Sequence, residues 1–307
     1  MDSLLYILVG ASIGVLSATF GIGGAFILTP ILNAMGMPIV LAIGTSLTFT
    51  VGVSLTAGFG HFRQGNCSLK TTALVGLFTL IGVTVSFEIV ERLAVLGSAE
   101  RYVGMVYIVM LIATSLFVYR KSDSCATDSY DPCIKAAPYC MMEGDKRVSL
   151  WNFMAVGLFV GFLKGFLGVG GGFILVPLLI WVVGMTPHAA VGTSLSILFV
   201  SSIYASGIYA FDGKVDYFAA AVLAGSAYLG SRYGLRAVNK CDSRKLTRNF
   251  SLLLLLSSLG IIAKQLGFVK AGMYYSIVVT AVFAVYVLYA FRKTDTPVCD
   301  FEAPSKT

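Results

Sequence analysis

The sequence predicts an all-α polytopic membrane protein made of two homologous repeats in inverted topology, with about 7–9 transmembrane segments. Three observations point there. Of 307 residues, 57% are hydrophobic and only 12% charged, about half the charged share of a soluble domain. The apolar residues fall in long runs separated by short polar gaps, the pattern of membrane-spanning helices. One glycine-rich stretch also occurs twice. Gly21, Gly23, Gly24, Phe26, Ile27, Leu28 and Pro30 recur in order as Gly168, Gly170, Gly171, Phe173, Ile174, Leu175 and Pro177. Each copy runs into a second matched piece, with Ala42, Gly44, Thr45, Ser46 and Leu47 answered by Ala190, Gly192, Thr193, Ser194 and Leu195. Such agreement indicates one ancestral unit, duplicated and fused.

Taken in order, residues 1–120 form the first repeat, with apolar runs at 4–33, 39–60, 69–90 and 102–119. A polar linker, 121–148, follows. Residues 149–292 form the second repeat, with runs at 151–183, 189–211, 217–233, 250–268 and 273–291, and 293–307 is a tail expected to be disordered and cytoplasmic. The runs 4–33 and 151–183 exceed the roughly 20 residues of one straight span. Each carries its glycine cluster in the middle, where clustered glycines should interrupt a helix. Each long run is therefore expected to be two half-helices meeting at Gly21–Gly24 or at Gly168–Gly172. Broken backbone at membrane depth is tolerated only where it lines a cavity or is buried in protein.

Charge in the gaps suggests orientation. Arg63 and Lys70 follow the second run of the first repeat, whereas Asp212, Lys214 and Asp216 occupy the matching gap of the second. In the next gap the bias reverses. Glu91, Arg92, Glu100 and Arg101 balance, while Arg232, Arg236, Lys240, Arg244, Lys245 and Arg248 stand against Asp242. Positive loops stay cytoplasmic, so matched gaps should face opposite sides, with each broken run a re-entrant hairpin. The competing count gives nine single spans and parallel repeats, and leaves Arg63 and Lys70 outside. Both counts put Arg292 and Lys293 in the cytoplasm. The net charge of +7 thus orients helices and does not argue for nucleic acid. Met1-Asp2-Ser3 lacks the basic start of a cleavable signal peptide, so none is expected.

A half-helix that begins inside the membrane presents free N–H groups and a partial positive charge, a site for an anion. The expected anion-binding residues are Gly21, Gly23, Gly24, Gly168, Gly170, Gly171 and Gly172, with hydroxyl donors from Thr45, Ser46, Thr193 and Ser194. The Thr-Ser pairs serve equally well as bonds across helices, and both roles stay open. No Asp or Glu lies in these motifs, so a metal cation is poorly suited and no cofactor is expected. Lys164 lies inside an apolar run, where a lysine costs about 2.5–3.5 kcal/mol. It either faces the substrate pathway or snorkels to an interface. Gly10 with Gly14, and Gly157 with Gly161, have the spacing of close helix packing; the same spacing admits a homodimer. His61 and His188 sit near run ends and are read as interfacial. Glu88 is placed to pair with Arg92. Cys125, Cys133 and Cys140 in the linker fit no zinc spacing and are read as incidental thiols.

On Gly21–Gly24 with Pro30, Gly44–Ser46, and their copies Gly168–Gly172 with Pro177 and Gly192–Ser194, the chain resembles the TauE/SafE family of sulfite and organosulfonate exporters. The resemblance covers nearly the whole chain apart from the linker and tail, and the linker departs from the family's compact pattern. It implies a multi-pass inner-membrane permease for sulfur-containing oxyanions such as sulfite or sulfonates, with the lipid bilayer as its surroundings. A channel or importer for another small anion would use the same half-helix chemistry. A membrane-embedded enzyme is disfavoured, because the runs hold no cluster of His, Asp or Glu to act as acid, base or metal ligand. A purely structural protein would carry unfavourable helix breaks to no purpose.

Overall fold

The computed structural model describes residues 2–20, 23–63, 69–124, 150–183, 185, 187–238 and 243–293. Their secondary structure is entirely helical: α1 Asp2–Phe20, α2 Ala25–Ala34, α3 Ile39–Arg63, α4 Leu69–Val95, α5 Ala99–Ser124, α6 Leu150–Leu167, α7 Gly172–Trp181, α8 Pro187–Phe211, α9 Tyr217–Val238, α10 Ser243–Gln265 and α11 Val269–Lys293. Five stretches, in α4, α5, α6, α8 and α11, are long and apolar enough to cross a membrane. Exposed Leu77, Ile81 and Val85 on α4, and Val278, Val282 and Val285 on α11, form apolar stripes that fit lipid. The linker with Cys125, Cys133 and Cys140, the tail, and the side chains of His61 and His188 lie outside the described residues.

Both long runs are interrupted at their glycines. Gly24 precedes α2 with φ 69° and Gly171 precedes α7 with φ 80°, and neither helix start has a side-chain cap. Gly23 and Gly168 also have positive φ, a conformation that side chains with a Cβ resist. Each short helix then carries a proline, Pro30 or Pro177.

Small residues set the helix pairing. α1 lies against α9: a Cβ on Gly10 would overlap Leu223 and Ser226, and one on Gly14 would overlap the Ala227 carbonyl. α6 lies against α4 in the same way, Gly157 meeting Val75 and Phe78, Gly161 meeting Thr79, and Gly165 meeting Val83 and Ser86. Positions advance together along both helices of each pair, so both pairs run parallel. The glycine spacing that admits a homodimer is therefore occupied within the chain. α3 and α8 instead cross antiparallel: Gly44 abuts Tyr209, while Thr48, further along α3, shares a 2.7 Å hydrogen bond with Ser206, further back along α8. α5 packs on α10, and α10 on α11.

The ends of α2, α4, α8 and α10 share one turn. Gly36, Gly97, Gly213 and Gly267 have positive φ. Each donates to the carbonyl three residues back, and the next N–H reaches five back, as in Ser98 to Leu93 and Phe268 to Ala263. This is the Schellman stop, which satisfies a helix's last carbonyls. Polar contacts tie these ends to neighbouring helices. Lys214 pairs with Glu91 at 2.6 Å and Asp212 at 3.0 Å. Burial alone would pull the Lys214 pKa down, and its hydrogen bonds to Glu91 and Asp212 more than offset that, so it is raised. Lys264 pairs with Glu100 at 2.6 Å and donates to the Asn33 carbonyl at 2.9 Å. Asp216 caps α9 by accepting from the Ala219 N–H, and its own N–H donates to Thr45. No ion pair joins Glu88 to Arg92; an exposed carboxylate four residues from an arginine gains little from closing.

Candidate functional site

The two breaks meet at the middle of the molecule. A Cβ on Gly23 would lie 3.8 Å from Thr50 and 4.0 Å from Leu198; one on Gly171 would lie 3.5 Å from the other methyl of Leu198. The Leu198 side chain thus stands between the two helix starts. Gly24 packs on Ile13, Ser17 and Phe49. Gly168 is wedged against Ile43 of α3, and its carbonyl accepts from Thr29 of α2 at 3.3 Å. Gly23, Gly24, Gly168, Gly170, Gly171 and Gly172 are all buried, and Gly21 lies outside the described residues.

Lys164 is fully buried. Its Nζ donates to Ser201 Oγ and Ser202 Oγ, both at 2.7 Å, and to the Leu198 carbonyl at 3.2 Å. It does not snorkel. All three partners are neutral, and the ion pairs of the described residues lie at helix ends. A protonated amine in low dielectric, with no counter-charge among the described residues, is costly to hold alone and would attract an anion strongly. The two half-helix starts and the Lys164 amine all converge on Leu198 or its immediate neighbours, and each helix start carries a partial positive charge.

The predicted hydroxyls divide into two groups. Thr45 accepts the Asp216 N–H and so helps hold the start of α9. Thr193 and Ser194 are fully buried, and neither is without an interaction partner. Ser46 is fully buried, and its Oγ has no hydrogen-bond partner among the described residues. Sequence reasoning missed Ser201 and Ser202, which no motif marks, and Ser54, which recurs with Ser46 and Thr50 at every fourth position of α3. A small cavity bordered by Pro30, Asn33, Tyr107 and Lys264 lies beside the far end of α2 rather than between the breaks. Among the described residues no group of three or more His, Cys, Asp or Glu is placed to hold a metal.

The sulfite exporter TauE/SafE family model matches residues 6–261 of the chain. The chain belongs to the TauE/SafE family. Its curated relatives carry the name probable membrane transporter protein. YjnA of Bacillus subtilis is 24% identical over 263 residues, covering 85% of this chain and 100% of the relative. A relative from Methanocaldococcus jannaschii is 25% identical over 211 residues, 63% of this chain and 72% of its own length. YunE of Bacillus subtilis is 31% identical over 103 residues, a match that spans only 34% of this chain and 38% of YunE. No solved structure matches this TauE/SafE chain.

Proposed function

We propose that this TauE/SafE protein is a secondary transporter, not an enzyme, that exports small sulfur-containing oxyanions such as sulfite or organosulfonates across the inner membrane. The observation that carries the reading is the convergence of two capless half-helix starts and the buried Lys164 amine, which has no carboxylate partner among the described residues. Amide and hydroxyl donors around a fixed positive charge suit the oxygens of a small anion. Gly23, Gly24, Gly170, Gly171 and Gly172 would supply backbone donors and Lys164 the charge, with the Ser46 hydroxyl about two helical turns further along the path. A monovalent anion leaving an inside-negative cell gains about 2.3 kcal/mol per 100 mV, which favours export without a second ion.

The same reading makes the two halves inverted repeats, with seven crossings by α3, α4, α5, α8, α9, α10 and α11 and two re-entrant hairpins. Its support is the exchange of matched partners: α1 lies on α9 as α6 lies on α4, and the matched helices α3 and α8 cross antiparallel. A rotation axis in the membrane plane reverses direction in this way, whereas an axis along the membrane normal would leave α3 and α8 parallel. Arg63, Lys70, Arg232 and the tail then share the cytoplasmic face.

The test is efflux of labelled sulfite and of sulfoacetate from proteoliposomes holding the purified protein. Saturable efflux, faster under an imposed inside-negative potential and absent from empty liposomes, is expected. No flux of either anion overturns the reading.

A further inference from the structure

Ser46 and Ser54 are the two buried side chains whose polar atoms have no hydrogen-bond partner among the described residues. Their exposures are 0% and 1%. Both belong to α3, and with Thr50 between them they occupy one face, at every fourth position. Thr50 itself is engaged, donating to the Ser46 carbonyl at 2.8 Å. This face meets the first helix break, because Gly23 lies against the Thr50 methyl. The second break reaches α3 about one turn before Ser46, where Gly168 lies against Ile43. A buried hydroxyl left unpaired costs roughly 1–3 kcal/mol, so two on one stripe beside both breaks need a ligand to explain them.

The antiparallel crossing fixes their depth. Thr48 faces Ser206. Advancing from Thr48 to Ser54 along α3 corresponds to retreating from Ser206 to Val200 along α8. Ser54 is therefore level with the segment that holds the Lys164 ammonium, Leu198 to Ser202. Ser46 stands two helical turns away, about 12 Å, too far for one small oxyanion to touch both.

We propose that Ser54 and Lys164 form a second, inner station for the transported anion, distinct from the Ser46 station. Ser54 donates to an oxyanion oxygen while Lys164 supplies the charge. The anion passes from one station to the other along the Ser46–Thr50–Ser54 face of α3. In α8 the matching hydroxyl, Ser202, is already bonded to Lys164, so α3 supplies the open donors and α8 the bound cation. This inference rests on the transporter reading above and assigns it a residue that the repeated motif does not contain.

The experiment compares wild type, Ser54→Ala, Ser54→Thr and Ser46→Ala in proteoliposomes, with sulfite as the probe, and measures Tm of each purified variant. For Ser54→Ala we expect a KM for sulfite raised about tenfold, the scale of one hydrogen bond to a charged group, with Tm no lower than wild type. Ser54→Thr, which keeps the hydroxyl, restores KM to within about threefold. A Ser54→Ala protein with wild-type KM and kcat overturns the inner station while leaving the transporter reading intact. A KM equally raised in Ser54→Ala and Ser54→Thr also overturns it, since volume rather than the donor then matters. Wild-type protein that moves no sulfite and is not thermally protected by it overturns both.

Discussion

Tyr107 donates its hydroxyl to the carbonyl of Phe26 at 2.8 Å. Phe26 stands four residues before Pro30, and a proline inside a helix has no N–H to offer that carbonyl. The tyrosine on α5 thus replaces the missing backbone donor in α2 and keeps a buried carbonyl satisfied. Tyr107→Phe should lower stability by about 0.5–1.5 kcal/mol, the net worth of one intramolecular hydrogen bond. Pro30→Ala in the same background should recover part of it by returning the N–H. Thermal unfolding of wild type, the two single variants and the double variant, in detergent, checks it. If Tyr107→Phe costs as much with the Pro30→Ala change as without it, the bond has another role.

Helix pairing by glycine makes a sharper contrast. A Cβ at Gly161 would overlap the Thr79 carbonyl of α4, whereas one at Gly76 would meet nothing within 4 Å. Gly161→Ala should destabilise by about 1–3 kcal/mol through overpacking. Gly76→Ala should be neutral or gain up to about 1 kcal/mol of helix propensity. Tm and expression level report both.

Much of this architecture is readable in the sequence, for local reasons. The glycine clusters mark the breaks because no other residue accepts φ near 70° so readily, and the expected runs 189–211 and 217–233 nearly coincide with Pro187–Phe211 and Tyr217–Val238. What the sequence hides depends on which helix faces which. Lys164 is conspicuous as a charge among apolar residues, but its partners Ser201 and Ser202 are set by how α6 packs beside α8. Thr45 stands out because it belongs to the repeated motif, but that its hydroxyl accepts from the Asp216 N–H at the start of α9 is set by the packing of α3 on α9. Ser54 escapes notice because it lies outside that motif, although its spacing of two fours from Ser46 is there to see.

Lys164 separates charge from scaffolding. Lys164→Met removes a buried amine and leaves Ser201 donating to the Ile197 and Leu198 carbonyls. We expect Tm within a few degrees of wild type and a sulfite KM raised at least about tenfold. Unchanged affinity would remove Lys164 from the site.

Topology has its own check. In a cysteine-free background, Ser98→Cys and Asp212→Cys should react with an impermeant thiol reagent added outside intact cells, and Lys70→Cys only after permeabilisation. These positions separate the face carrying the four Schellman stops from the opposite one. Labelling of Lys70→Cys from outside would rule out the proposed inverted arrangement.

A proton kept on the buried Lys164 amine throughout the transport cycle would have an electrical consequence. Carrying a monovalent anion, the centre is neutral, and its reorientation feels no voltage. Once emptied it bears one positive charge, which an inside-negative potential pulls back toward the cytoplasm with up to about 2.3 kcal/mol per 100 mV. Voltage would then power the return stroke rather than the delivery stroke. Substrate-free charge movement on a supported membrane, lost in Lys164→Met, is the signature to seek; identical currents in both proteins would locate the voltage dependence elsewhere.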